Sequence, residues 1–301
     1  MNAPGRRPPT RTAALSAAIV AVALSLAACG SAATPATGSG DSGPAGLSAQ
    51  IVASELSVGS QQRVPIGILD HNTPVSDATV RVRAFVLQGG NTAVFRGESA
   101  APFKGEGLEG AGAYVARLDL STPGGWGLQI SASRPNGQRL NQQLPFTVLA
   151  TPVVPAVGQP APPSHSPTVA EQPDASAIDS GRPPDDMHQL SIAAALQQHR
   201  PTLVVFASPA FCTSRICGPE VKVVQSLEAA YRDRLAFIHV EIYTNFKPDP
   251  AKRQLAPTVL EWRLQTEPWI FLIDARGIIR DRFEGPTATD ELRAAVDQLL
   301  G

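Results

Sequence analysis

The segment from Leu203 to Tyr231, LVVFASPAFCTSRICGPEVKVVQSLEAAY, constrains the chain more than any other. Leu203-Val204-Val205-Phe206 is a short apolar run rich in β-branched residues, the pattern of a buried strand. A polar loop follows, with Cys212 and Cys217 separated by four residues. After Gly218-Pro219, apolar Val221, Val224, Leu227 and Tyr231 recur at helical spacing, and Pro219 suits a first helical turn, where a missing N–H costs nothing. A cysteine at a helix N-terminus faces unpaired N–H groups and the positive end of the dipole, which stabilise its thiolate. Strand, cysteine pair and Gly-Pro helix together point to thiol–disulfide chemistry. On this basis Cys217 is expected to attack and Cys212 to resolve, with Gly218, Pro219 and Glu220 as supporting residues of the first turn.

At 301 residues the chain has room for about two domains. A formal net charge of −1, with no basic stripe, excludes an electrostatic case for nucleic acid, and no cofactor motif is visible. Arg6, Arg7 and Arg11 precede an apolar run from Ala13 to Ala28 that is short for a membrane span. The run ends in Leu26-Ala27-Ala28-Cys29, which resembles the bacterial lipobox. The resemblance implies that residues 1–28 are a lipoprotein signal peptide and that Cys29 is lipidated. The protein would then sit on the extracytoplasmic face of a bacterial cell membrane. With Cys29 given to lipid, two of the three cysteines remain for each other. Outside the cytoplasm a disulfide between them can persist, so Cys212 and Cys217 are expected to be bonded at rest.

Residues 29–46 are rich in Ser, Ala, Thr, Gly and Pro and read as a flexible tether. From residue 47 to 150 short alternating runs (63–69, 79–87, 113–120, 126–133 and 144–149) are punctuated by turn signals such as Pro123-Gly124-Gly125 and Pro135-Asn136-Gly137. The spacing predicts an antiparallel β-sandwich. Gly112-Ala113-Tyr114 followed by Pro123-Gly124-Gly125-Trp126 resembles YtkA-like and other Ig-like extracytoplasmic modules. Tyr114 and Trp126 read as packing residues. His71 stands in a turn with no second histidine near it in sequence, and no catalytic cluster is visible, so this domain reads as a spacer or docking module.

Residues 151–186 are dominated by Pro, Ala, Ser and Asp and predict an extended, partly stiff linker. Within it Val157-Gly158-Gln159-Pro160-Ala161-Pro162 resembles the opening of redoxin and peroxiredoxin domains, which would dock that part onto the domain that follows. Residues 187–301 then read helix (191–199), strand (203–206), helix (after Pro219), strand (235–243), helix (258–264), strand (269–273), strand (278–283), helix (290–300). This order, with Cys217-Gly218-Pro219, the Glu267-Pro268 pair before a strand and the turn at Gly277, resembles an extracytoplasmic thioredoxin-like domain. The resemblance implies a cis Pro268 beside the active cysteines. The whole is a multidomain chain: an N-terminal antiparallel β-sandwich of Ig-like type and a C-terminal α/β thioredoxin-like fold.

Two departures stand out. Thioredoxins carry Trp-Cys-Gly-Pro-Cys, whereas this loop reads FCTSRICGPE. Aligned on the helix, Cys217 matches the nucleophile and Glu220 replaces the resolving cysteine; aligned on the strand, Phe211-Cys212 matches Trp-Cys. The buried acid of thioredoxins would fall near Val205, which is apolar. The expected function is therefore a membrane-anchored thiol–disulfide oxidoreductase acting on extracytoplasmic protein thiols and disulfides. The alternative is a catalytically degenerate binding or scaffold lipoprotein with Cys212–Cys217 as a structural staple. A peroxiredoxin or Sco-type copper site on the same fold is a weaker reading. After Cys217 the only histidine is His239, inside a predicted strand, while His165, His188 and His199 read as surface residues, so no metal is expected.

Overall fold

A computed structural model describes residues 46–89 and 92–301. The signal peptide, Cys29 and the tether expected at 29–46 lie outside the described residues, apart from Gly46. Among the described residues no helix is long and apolar enough to cross a membrane.

The N-terminal region is built from ten strands: β1 (Leu47–Ile51), β2 (Leu56–Ser57), β3 (Gly59–Asp70), β4 (Thr73–Pro74), β5 (Thr79–Gln88), β6 (Thr92–Ala101), β7 (Phe103–Lys104), β8 (Ala113–Leu120), β9 (Gly124–Ser133) and β10 (Arg139–Leu149). One sheet runs β1-β3-β8-β7 with β4 beside β3, and the other runs β2-β10-β9-β5-β6. Alternation explains the two-sheet arrangement. Along β5, Val80, Val82 and Ala84 are buried while Thr79, Arg81 and Arg83 are exposed, and Val64, Ile66 and Ile68 of β3 meet them in one core. Trp126 and Tyr114 are fully buried there; the indole Nε1 donates to Thr122 O at 2.8 Å and the tyrosine hydroxyl accepts from Ala78 N at 2.9 Å. Satisfied polar handles of this kind let large aromatics serve as core.

The C-terminal region follows as α1 (Ile192–Gln197), β11 (Thr202–Ala207), α2 (Cys217–Tyr231), β12 (Ala236–Glu241), β13 (Tyr243–Thr244), β14 (Gln254–Leu255), α3 (Pro257–Glu261), β15 (Trp269–Ile273), β16 (Ile279–Glu284) and α4 (Thr289–Leu300). The main sheet has the order β12-β11-β15-β16, with β11 parallel to β12 and antiparallel to β15. Every residue of β11 is buried, because the sheet is covered on both faces. Leu203, Val205 and Ala207 pack into a cluster with α2 and α4, while Val204 and Phe206 pack with α1, Trp262 and Phe271.

Residues 151–186 depart from the linker expectation. They are irregular, as their prolines dictate, but they are docked along their length. Gly158 N donates to Ile279 O and Ala161 N to Gly277 O, both at 2.8 Å. Further on, Ser164 accepts from Trp262 Nε1 at 3.0 Å, and Ser180 N donates to the Glu241 carboxylate at 2.9 Å. Ser164, Ser166, Thr168, Asp179 and Ser180 are buried. Proline removes the regular ladders but leaves small polar side chains to satisfy the strap individually.

The two regions also meet directly. The loop between β7 and β8 inserts Leu108, fully buried, into the core formed with Val223 and Leu292. Gly107 in that loop has φ +82°, and a Cβ there would come within 2.3 Å of Thr289 Oγ1 and 2.9 Å of Val223. Glycine supplies both the left-handed turn and the close approach. Arg63 of β3 forks onto Glu291 of α4 at 2.8 and 3.0 Å, and also donates to the carbonyls of Glu284 and Pro286.

Candidate active site at the Cys212–Cys217 loop

β11 ends at Ala207 and the chain turns at once: Phe211 N and Cys212 N both donate to Ser208 O. Cys212 Sγ lies 3.1 Å from Ser214 Oγ. Arg215 takes φ +60°, and α2 then opens at Cys217 with no side chain capping it. An uncapped first turn leaves N–H groups free to find another acceptor.

That acceptor is Cys212. Hydrogen bonding from the Cys217 thiol, then from Ser214 and the Cys217 and Ile216 amides, outweighs burial and brings the Cys212 thiol down to about 5. Cys217 moves the other way. Its thiol is held as a donor to the Cys212 sulfur and is buried in the α2–α4 core, both of which push its pKa far up. The expectation that Cys217 has the lower pKa is thereby reversed: the amides at 216 and 217 favour the Cys212 thiolate, while Cys217 is buried in the core. Both cysteines carry free thiols in this structure.

Pro268 is buried at the start of β15, next to Trp269, which pairs with Phe206, and the Glu267–Pro268 bond is cis. Sequence reading passed over Glu267 itself. A carboxylate oxygen of Glu267 and the two sulfurs all lie within 4.8 Å of one another. Burial, then the charge of Cys212, raises its carboxyl to about 7. Where Val205 offers no acid, one from the turn before β15 thus stands beside the pair. Its only sequence signal was its place before the proline.

Glu220 is buried and turned away from the sulfurs. Its Oε2 accepts from Thr287 N at 3.1 Å, its Oε1 has no partner, and burial raises its pKa to about 8. Gly218 meets nothing within 4 Å of an added Cβ, so no steric demand fixes glycine there. Beside the loop, Phe211 contacts Tyr243 and Phe246 edge-on. With Pro183, Lys247 and Pro248 it walls a cavity of about 480 Å³.

The histidines divide otherwise than expected. His71, His165 and His199 are exposed, but His188 and His239 are buried, and Asp179 and Asp185 lie beside them. Burial works to lower the His239 pKa, but Asp185 at 2.7 Å and the charges of Asp179 and Glu241 carry it to about 9.

Residues 188–300 match the family model described as a thioredoxin-like domain. The C-terminal region is a thioredoxin-like domain. Among solved structures, a thiol:disulfide interchange protein of the thioredoxin family from Chlorobium tepidum TLS is 19% identical, covering 48% of this chain and 99% of its own, with a TM-score of 0.33. Another from Chlorobium tepidum, described as thiol:disulfide interchange protein DsbE, is 16% identical, covering 49% of this chain and 99% of its own, again with a TM-score of 0.33. No curated protein matches the chain.

Proposed function

We propose that the protein is a thiol–disulfide oxidoreductase acting on extracytoplasmic protein disulfides, tethered to the cell membrane through lipidated Cys29. The observation that carries this reading is geometric: the two sulfurs and a carboxylate oxygen of Glu267 lie within 4.8 Å of one another where α2 begins, beside cis Pro268. A structural staple has no need of an acid beside its sulfurs. Cys212 thiolate attacks one sulfur of a partner disulfide, forming a mixed disulfide and releasing the other partner sulfur as thiolate. Cys217 then gives its proton to the Glu267 carboxylate and attacks Cys212 Sγ. This closes Cys212–Cys217 and releases the second partner sulfur, so the partner gains two electrons and the pair loses them. Pro268 borders the surface that receives an extended substrate chain, as the resemblance to thioredoxins implies. The tether at 29–46 and the N-terminal sheets, read as an Ig-like sandwich, hold the site off the membrane. The lipobox residues 26–29 support the anchor, and membrane fractionation of Cys29→Ala protein tests it: release into the soluble pool is expected, and retention would refute it.

Alkylation of the single mutants between pH 5 and 9 tests the redox assignment. Cys212 in Cys217→Ser protein should react well below the ordinary thiol range, and less strongly so than in the intact pair, because one donor is weakened. Cys217 in Cys212→Ser protein should stay inert while folded. Reaction of Cys212 no faster than a free thiol of pKa about 8.5, with a pair potential below about −300 mV, would favour the structural staple.

A further inference from the structure

Asp179, Asp185, His188 and His239 are brought together from two parts of the C-terminal domain, the strap before α1 and the middle of β12. Each offers one ligand-type atom within 4.8 Å of the others. The individual separations are 2.7 Å (His239 Nδ1 to Asp185), 3.3 Å (His188 Nε2 to Asp185), 3.4 Å (His188 Nε2 to Asp179) and 3.9 Å (His239 Nδ1 to Asp179). Four ligands at zinc–nitrogen and zinc–oxygen bond lengths stand about 3.3 Å apart on the edges of a tetrahedron. The four distances, which involve both Asp185 oxygens, scatter around that value.

The surroundings have the form of an outer ligand shell. His239 directs its other ring nitrogen, Nε2, at Ala207 O, 3.2 Å away, and a backbone carbonyl there orients the ring to present Nδ1. Asp179 accepts from Gly181 N and Asp185 N at 2.6 and 2.7 Å, and Asp185 accepts from Met187 N at 2.9 Å, so both carboxylates are fixed from behind. Side-chain exposure is 1% for Asp179 and His188, 0% for His239 and 5% for Asp185. A third carboxylate, Glu241, is buried nearby. Among the described residues no lysine or arginine pairs with any of the three, so the two histidines alone offset a buried carboxylate group that is costly to hold away from water.

We infer that Asp179, Asp185, His188 and His239 form a closed, four-ligand structural site for a zinc-class divalent cation. All four positions are taken by protein, which leaves none for a substrate. The bound ion would clamp the strap to β12 behind the redox loop: His239 holds Ala207, the last residue of β11, and Ser180, next to Asp179, accepts from Ala210 N at 3.1 Å. The cavity beside Phe211 reaches Asp179 and gives the ion its way in.

The inference does not rest on the redox reading, and its test is made in the full chain carrying Cys212→Ser and Cys217→Ser, because Cys212, Cys217 and Glu267 form a second ligand set. Zn²⁺ added against a chromophoric chelator should bind at one equivalent and raise the melting temperature, and EDTA should reverse both. His188→Gln or Asp179→Asn in that background should weaken zinc binding at least tenfold. If these variants do not fold, X-ray absorption of the zinc-loaded parent decides: a shell of imidazole nitrogen and carboxylate oxygen near 2.0 Å supports the site. The inference is overturned if the parent takes up no zinc at tenfold excess. Equal binding in a folded His188→Gln variant, or a shell without imidazole, overturns it too. The four residues would then be a hydrogen-bonded pair of histidines and carboxylates only.

Discussion

Glu267 and Glu220 are both carboxyl groups held above their ordinary pKa, and they do opposite things. Glu267 faces the sulfurs and reaches about 7 through burial and the charge of Cys212. It can therefore accept a proton from Cys217 near neutral pH. Glu267→Gln should slow closure of Cys212–Cys217 by about 100-fold, the low end of general-base effects. It should leave the first attack unimpaired, so a mixed disulfide through Cys212 accumulates in single-turnover mass spectrometry. Glu220 faces the protein interior, and burial takes it from 4.5 to about 8. A raised folded-state pKa means that the folded protein binds the proton more tightly than the unfolded chain between those values. The group's contribution to stability is complete below pH 4.5 and is lost as pH rises through 8. At about 1.4 kcal/mol per unit, the loss amounts to a few kcal/mol. Urea unfolding at pH 5 and pH 8.5 should show that decline in the wild type and a much flatter profile in Glu220→Gln. Equal slopes would remove Glu220 as its source.

At the scale of elements, the hydrophobic pattern was legible where both faces of an element are buried. β11, β12 and β15 read as short apolar runs because tertiary covering leaves them no polar side, and α2 was marked by Gly218-Pro219 and its apolar stripe. β6 was missed because its sequence, TAVFRGESAA, is mostly exposed and gives no clean alternation. The roles of the cysteines were not legible, because they depend on where the nine-residue loop at 208–216 returns a sulfur relative to the amides at 216 and 217. His188 and His239 meet only because Met187 O accepts from His239 N, a pairing with no trace in local sequence. The β7–β8 loop was equally silent, since Leu108 is one apolar residue among glycines and glutamates. Its insertion between α2 and α4 makes a test of the element: Leu108→Ala should cost about 2–5 kcal/mol, as removal of a fully buried leucine does. Gly218→Ala, in the first turn of α2 with open space around it, should be neutral or slightly stabilising, because alanine is the better helix residue. Denaturant midpoints of the two variants would separate a structural glycine from an incidental one.

Across the whole molecule, several contacts join the N-terminal sheets to the thioredoxin-like domain. Among them are the Leu108 plug, the Arg63–Glu291 fork and the bridge from Arg282 to Glu55 at 2.8 Å. The strap at 151–186 adds a further tie, running from β10 across to β16 and β12. The fork is the most exacting, since Arg63 and Glu291 side chains are only 7% and 6% exposed and Arg63 also satisfies two carbonyls near α4. Removing one partner of a buried pair strands the other, which costs about 3–5 kcal/mol. Arg117, 3.3 Å from Glu291, offsets part of that loss. The intact chain should therefore unfold in one cooperative calorimetric transition. Limited proteolysis should spare 168–186 until that transition begins. Arg63→Met should lower the first transition and separate the sheets from the thioredoxin-like domain, so that two transitions appear and the strap becomes cleavable. Two independent transitions in the wild type, or early cleavage within 168–186, would mean that these contacts do not couple the domains.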